Sequence, residues 1–176
     1  HAGYIKRQPA STYSAQRRGG KGIIGMTTKE EDFIENVSVA SSHSYIMFFT
    51  NFGRAYKLKG YEIPESSRTG KGMNAVNILP LDAEEKISAM IKVPAEADGE
   101  YLCMVTRKGI IKRTLLDAYK NIRKNGVIAI NLDEDDELAW VKLTYGDDDL
   151  LVATRNGFSI RFNENDVRPM GRDAAG

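Results

Sequence analysis

Short apolar runs, each followed by a glycine and a second run ending in Lys or Arg, dominate the pattern along these 176 residues. Alternation of apolar and polar positions dominates the chain, and the apolar runs are rich in β-branched and aromatic residues, which is typical of strands. A glycine between two such runs favours a tight turn, so each pair predicts a β-hairpin. The glycine-led run occurs four times, at residues 3–7, 53–57, 109–113 and 157–161, with glycine spacings of 50, 56 and 48.

A second landmark follows each predicted hairpin: a basic, glycine-containing loop, then a short apolar segment, an acidic turn and a last strand. The basic loops are residues 16–22, 68–72 and 123–126, the acidic turns are 30–32, 84–85 and 134–137, and two last strands are 87–93 and 138–144. Four short strands in a unit of about 50 residues are typical of a propeller blade.

The sequence therefore predicts an all-β fold, a propeller-like disc of repeated four-stranded blades that is incomplete here. One repeat domain is expected over residues 1–176, with units at approximately 1–44, 45–99, 100–147 and a partial unit at 148–176. We expect a fragment of a longer protein, because the first unit lacks the strand that should precede Gly3. A helix remains an alternative only around residues 115–121.

Charge is nearly balanced in total but uneven along the chain. The 25 Lys and Arg and 24 Asp and Glu give a net charge of +1, which by itself argues against a nucleic-acid partner. Residues 1–29, however, hold six cations and no acid, residues 107–124 hold seven cations and one acid, and residues 125–150 hold one cation and eight acids. If the units stack in register, the basic segments form one positive rim. The alternative is that each charged run is a solvated loop.

Motifs for metal, nucleotide or nucleophilic chemistry are weak. With two histidines and one cysteine, Zn²⁺ ligation and Cys-His catalysis are not expected. Residues 20–25 satisfy G-x-G-x-x-G, but a dinucleotide site needs a strand before that motif and a helix after it. We interpret Cys103 as a buried thiol and the acidic runs 133–137 and 147–149 as solvated turns. No apolar run approaches the roughly 20 residues that span a bilayer, so no membrane partner is expected.

The seven residues 16–22, Gln-Arg-Arg-Gly-Gly-Lys-Gly, closely resemble the GyrA box, the signature of the C-terminal domain family of DNA gyrase A subunits. Segments 4–7, 30–33, 48–54 and 56–61 resemble the same family, so the likeness extends over essentially the whole chain. A complete box favours gyrase over the paralogous topoisomerase IV subunits, in which the box is usually degraded.

This resemblance implies a β-pinwheel whose basic perimeter binds, bends and wraps duplex DNA without sequence specificity. It implies a non-catalytic, DNA-binding part of a bacterial isomerase that introduces negative supercoils, located in the cytoplasm at the nucleoid. The implied partners are duplex DNA, the gyrase B subunit of an A2B2 assembly, plus the remainder of the gyrase A subunit. No cofactor is expected in this domain, because ATP and Mg²⁺ would be used by other parts of the enzyme.

The residues expected to contact DNA form two groups. The box comprises Gln16, Arg17, Arg18, Gly19, Gly20, Lys21 and Gly22. The basic rim comprises Lys6, Arg7, Arg54, Lys57, Arg68, Lys71, Lys112, Arg113, Arg123, Lys124, Arg155, Arg161, Arg168 and Arg172. Side chains alternate along a strand, so not every rim residue can touch DNA. Two alternative functions stay open: a topoisomerase IV domain that selects DNA substrates, and a propeller-type protein-interaction module.

Overall fold

The computed structural model describes residues 3–28, 33–94 and 96–176, which form short strands, turns and single-turn helices. The strands are β1 Tyr4–Ile5, β2 Tyr45–Thr50, β3 Arg54–Lys59, β4 Met73–Asn74, β5 Ile87–Lys92, β6 Tyr101–Thr106, β7 Ile111–Leu115, β8 Val127–Ile128, β9 Leu138–Thr144, β10 Asp149–Ala153 and β11 Ser159–Asn163. The 3-10 helices are Ala10–Thr12, Gly60–Glu62, Ala75–Asn77, Leu116–Tyr119 and Glu164–Asp166. None of these helices is long and apolar enough to cross a membrane.

The all-β prediction is confirmed, and the helix alternative around residues 115–121 reduces to the 3-10 turn Leu116–Tyr119. All three predicted hairpins, one for each repeat copy that an apolar run precedes, are present as antiparallel pairs, β2 with β3, β6 with β7 and β10 with β11. In each hairpin the carbonyl of a threonine accepts the N–H of the glycine three residues later, as from Gly53 to Thr50 at 3.0 Å. Gly53 has a φ of 74°, which explains why glycine recurs at this position.

The sheets combine strands from neighbouring units, which differs from the predicted four strands per unit. The four-stranded sheet has the order β5-β2-β3-β8, and β8 comes from the unit that follows the other three strands. In the same way β1 of the first unit pairs with β4 of the second. The three-stranded sheet β7-β6-β9 meets the fourth unit at a bridge between Arg113 and Pro169. The regions of the second, third and fourth basic loops therefore each cover a strand edge of the unit before them.

Strand β2 is buried on both faces because neighbouring segments pack on each side. Met47 and Phe49 join one apolar cluster with residues of β6 and β9, whereas Ile46 and Phe48 join a second cluster. This division follows from the alternation of side chains along a strand. The prediction of a buried Cys103 is also confirmed, since its side chain is 1% exposed.

Two of the acidic turns contain a buried carboxylate, and the one in the run 133–137 corrects the expectation that this run is solvated. Glu85 is buried and accepts a hydrogen bond from the Thr50 hydroxyl at 2.7 Å. Asp136 is also buried and accepts the backbone N–H of Lys108 at 3.0 Å. Both carboxylates close the end of a hairpin, so their charges are used inside the protein. The predicted acidic turn at residues 30–32 lies outside the described residues.

Candidate nucleic-acid interface

A four-residue turn recurs in every unit, and we refer to these four as the basic turns. They are residues 17–20, 67–70, 123–126 and 171–174, and the N–H of the last residue donates to the carbonyl of the first at 3.0, 3.0, 2.9 and 3.3 Å, respectively. The second position is a cation in every copy: Arg18, Arg68, Lys124 and Arg172. Because this hydrogen bond closes the backbone ring, the side chains of the two central residues lie outside it. Each unit thus carries one cation at a turn tip.

The box is exposed along its entire length, residues 16–22. Gly19 has a φ of 80°, and a Cβ at Gly20 would lie 3.1 Å from the carbonyl oxygen of Arg17, so glycine suits both positions. Three cations therefore occupy one short open loop whose backbone can be approached closely. Cationic side chains together with accessible backbone N–H groups are the donors that proteins use for phosphate oxygens.

Direct contacts join consecutive basic turns. The segment after the first turn lies along the second, where the Thr27 N–H donates to the Thr69 carbonyl at 3.1 Å. The segment after the third turn meets the fourth in a similar way, where the Asn131 N–H donates to the Ala174 carbonyl at 3.2 Å. These contacts connect the first turn to the second and the third to the fourth, in the order that a basic rim requires.

Seven of the cations predicted for the rim are exposed. They are Arg68, Lys71, Arg123, Lys124, Arg155, Arg161 and Arg168, while Arg172 is partly buried. Arg161 forms an ion pair with Asp149 across the last hairpin, which neutralises part of its charge. The sequence prediction missed Lys120, an exposed cation 2.9 Å from Asp117. Its place in the basic run 107–124 could have identified Lys120 from the sequence.

Four hairpin cations predicted for the rim are partly buried and bind the protein itself. The Arg54 guanidinium donates to the Asn125 carbonyl of the third unit at 3.2 Å. Lys57 donates a 2.7 Å hydrogen bond to a backbone carbonyl of the third unit. Arg7 and Lys6 donate to backbone carbonyls of the second unit at 3.1 and 2.7 Å. These side chains join one unit to the next.

Lys112 and Arg113 require a correction, because the structure places both in the interior, at 0% and 3% exposure. The fourth unit packs over their strand and removes them from any surface that DNA could reach. Arg113 lies 3.0 Å from the Glu164 carboxylate, and Lys112 donates to the Ala129 carbonyl at 2.7 Å. Burial lowers the pKa of the Lys112 ammonium to about 8, since removal from water disfavours the charged form.

The fold and this surface define a class of protein: a propeller-like β-repeat domain that carries one cationic turn in each unit. Within the three described ranges there is no group of three or more His, Cys, Asp or Glu side chains that could hold a metal ion. The chain belongs to the family described as the DNA gyrase C-terminal domain, a β-propeller. The family matches residues 1–41, 44–94, 100–144 and 148–176.

Known proteins agree with this assignment. The chain is 58% identical to the DNA gyrase A subunit of Clostridium acetobutylicum over 100% of its own length, which is 21% of that protein. A crystal structure of the C-terminal domain of DNA topoisomerase IV superimposes with a TM-score of 0.83 at 30% identity, covering 99% of this chain and 53% of the other. The structure of a DNA gyrase A C-terminal domain superimposes with a TM-score of 0.74 at 27% identity, covering 99% and 56%.

Proposed function

We propose that this domain binds duplex DNA through its basic turns and bends the duplex around its rim, without preference for base sequence. The observation that carries the proposal is the recurrence in all four units of a turn with a cation at its second position. Such contacts go to phosphates, which are the same whatever the sequence. The described residues also contain no α-helix that could read base edges in a major groove.

Repetition of the turn suits a bent duplex better than a straight one. Bending roughly 20–30 base pairs by 40–90° costs on the order of 1–6 kcal/mol, and longer arcs cost more. Release of counterions from each neutralised phosphate has to offset that cost. A single turn offers only one or two cations, so the free energy for bending must accumulate from unit to unit. The open box, with three cations, is the strongest single contact in this proposal.

We further propose that the domain serves an ATP-dependent type II topoisomerase, and that wrapping lets this parent enzyme introduce negative supercoils. The support is the 58% identity to a gyrase A subunit, of which this chain corresponds to 21% of the length. In this proposal the domain is non-catalytic and needs no cofactor, while ATP and Mg²⁺ act elsewhere in the enzyme. Its partners are duplex DNA, the gyrase B subunit of an A2B2 assembly, plus the remainder of the gyrase A subunit. The assembly acts in the bacterial cytoplasm, at the nucleoid.

A role in topoisomerase IV is the second candidate, because a topoisomerase IV domain superimposes with a TM-score of 0.83. That likeness reflects a fold that both enzymes share. The complete box at residues 16–22 and the 58% identity to a gyrase A subunit favour gyrase. A protein-interaction propeller has weaker support, since the recurring surface feature is cationic and not an apolar pocket.

The proposed function is tested by titrating a fluorescent duplex of roughly 25 base pairs with the chain at about 50 and about 200 mM salt. If six to ten phosphates are contacted, affinity should fall by roughly a thousandfold or more between the two conditions. A second duplex of unrelated sequence and equal length should bind equally well. Affinity that is independent of salt, or absent at the lower concentration, would instead favour the protein-interaction module.

A further inference from the structure

The lysine at the fourth position of the first repeat is aimed at the next unit's basic turn. Lys6 Nζ donates to the carbonyl oxygens of Ser67, Arg68 and Gly70 at 3.1, 2.7 and 2.8 Å. An ammonium group has three protons, so three convergent acceptors satisfy it completely. All three acceptors belong to the second basic turn, residues 67–70. The ammonium of Lys6 is therefore fully bound by the backbone of that turn.

The third repeat shows the same arrangement independently. Lys112 occupies the position equivalent to Lys6, three residues after the repeat glycine. Its Nζ donates to the carbonyl oxygen of Arg172, the second residue of the fourth basic turn, and to that of Ala129. Arg68 holds the second position of its own turn, so the same carbonyl is bound in both copies.

The second repeat lacks the lysine, and the turn that it faces is built differently. Tyr56 occupies the lysine position. Gly126, the fourth residue of the third basic turn, packs against the Tyr56 ring. A Cβ at Gly126 would lie 2.7 Å from the Tyr56 ring, so the ring fills the place of the ammonium. Arg54 then binds this turn instead, donating to the Asn125 carbonyl at 3.2 Å. In the second, third and fourth basic turns, a cationic side chain from the preceding unit thus donates to at least one backbone carbonyl.

These hydrogen bonds to the carbonyls determine which polar groups of the turn face outward. The peptide bonds are trans, so each N–H points away from the carbonyl of the same peptide plane. When Lys6 gathers the carbonyls of residues 67, 68 and 70, the N–H groups of Arg68, Thr69 and Lys71 are directed away from the ammonium. Carbonyl oxygens repel a phosphate, whereas N–H groups bind it.

We propose that Lys6 and Lys112 are positioning residues for DNA binding, which hold the next unit's basic turn with its carbonyls inward and its cation and N–H groups toward the phosphates. The role in DNA binding rests on the proposed function, whereas the contacts of the two lysines with the turns are observed in the structure. Neither lysine touches DNA. The recurring lysine is therefore a connection between units and not a rim contact, although sequence position alone places it beside the exposed cations.

The test compares Lys6→Met with Lys71→Met in the 176-residue chain. Both variants lose one positive charge near the second turn, but only Lys6 binds the turn's carbonyls, while Lys71 is exposed. Hydrogen exchange of the Gly70 amide, which donates to Ser67 within the turn, is measured without DNA. Lys6→Met should raise that exchange by about tenfold, because a hydrogen bond to a charged group is lost. Lys71→Met should leave it unchanged.

DNA affinity and its salt dependence provide the second measurement. Lys71→Met should lower the slope of log affinity against log salt by about 0.9, as for one lost phosphate contact. Lys6→Met should lower DNA affinity by more than Lys71→Met does, since the whole turn loses its orientation. Wild-type exchange at Gly70 in a folded Lys6→Met protein overturns the proposal. If Gly70 exchanges fast only in Lys6→Met, but neither wild type nor any variant binds DNA, the contact between Lys6 and the turn stands. That result refutes the proposed DNA-binding function instead.

Folding is checked in the same experiment. The amide of Gly60, which donates to Ser44 at 2.9 Å beyond the β2–β3 hairpin, reports on the second unit away from the turn. Its exchange should be the same in wild type, Lys6→Met and Lys71→Met. A parallel rise at Gly60 and Gly70 in Lys6→Met means that the lysine serves general stability, which contradicts a specific positioning role.

Discussion

Two loops of related sequence, residues 16–22 and 66–72, are identical at four of seven positions but packed differently in this fold. Both end in Gly-Lys-Gly and both contain the same hydrogen-bonded turn. In the second loop a Cβ at Gly72 would lie only 2.4 Å from the carbonyl oxygen of Ile5. In the first loop a Cβ at Gly22 would meet no atom within 4 Å. One loop is packed against a neighbouring strand, and the other is open.

This difference shows that the turn and its support have separate origins. The local sequence is sufficient for the turn, because the glycines remove the steric obstacle to it. The support comes from β1 and Lys6, which reach the second loop from another unit. The last glycine of the box is therefore open, whereas that of the second loop is held against a strand of another unit. Three predictions separate these two kinds of loop.

The largest effect is expected from the cations of the open loop. Replacing Arg17, Arg18 and Lys21 by alanine should lower DNA affinity by roughly a hundredfold near 0.1 M salt and reduce the salt slope by about 2.7, since three phosphate contacts are lost. The matched change in the supported loop, Arg68 and Lys71 to alanine, should reduce the slope by about 1.8. Both slopes are obtained from anisotropy titrations over a range of salt concentrations. Equal affinity of the box variant and the wild type would contradict the role assigned to the box.

The next effect concerns stability and compares the two last glycines. Gly72 has a φ of 81° and sits against the Ile5 backbone, so Gly72→Ala should destabilise the contact between the units by about 2 kcal/mol. Gly22→Ala should change stability by less than about 0.5 kcal/mol. The reporter is hydrogen exchange of the Ala75 amide, which donates to the Gly3 carbonyl at 2.8 Å across the two units. Equal exchange in the two variants would mean that the second loop is not held as described.

The smallest effect is a dependence on pH and involves Lys112, the buried lysine that holds the fourth turn. Burial lowers its pKa in the folded protein to about 8, below the usual 10.5 that we expect in the unfolded chain. Between these values the unfolded chain binds more protons, so Lys112 makes folding more favourable as pH rises from about 8 toward 10.5. Between about pH 7.5 and about pH 9.5, the free energy of unfolding of wild type should increase by on the order of 1 kcal/mol relative to that of Lys112→Met.

Urea unfolding of both proteins at the two pH values measures this gain. Lys71→Met serves as the control, because it removes an exposed lysine of the same kind. A free energy of unfolding that shifts equally with pH in wild type and Lys112→Met would show that Lys112 titrates alike in the folded and unfolded chain.

Much of the fold follows from sequence because its instructions are local. The three hairpins with their glycine turns were predicted from short segments, and the all-β fold agrees. The exposed cations of the basic loops were predictable for the same reason. Burial of Arg113 was not, since its partner Glu164 lies 51 residues away in the next unit.

By itself the sequence determined where the turns and hairpins form, because backbone sterics and side-chain alternation act over a few residues. It also determined that every basic turn carries a cation. Only the tertiary structure decided which cations reach solvent. Arg161 and Arg113 occupy the same position of the repeat, yet one is exposed and the other is buried under the fourth unit. The physical reason is that burial depends on what packs over a strand, and here the covering chain comes from a different unit.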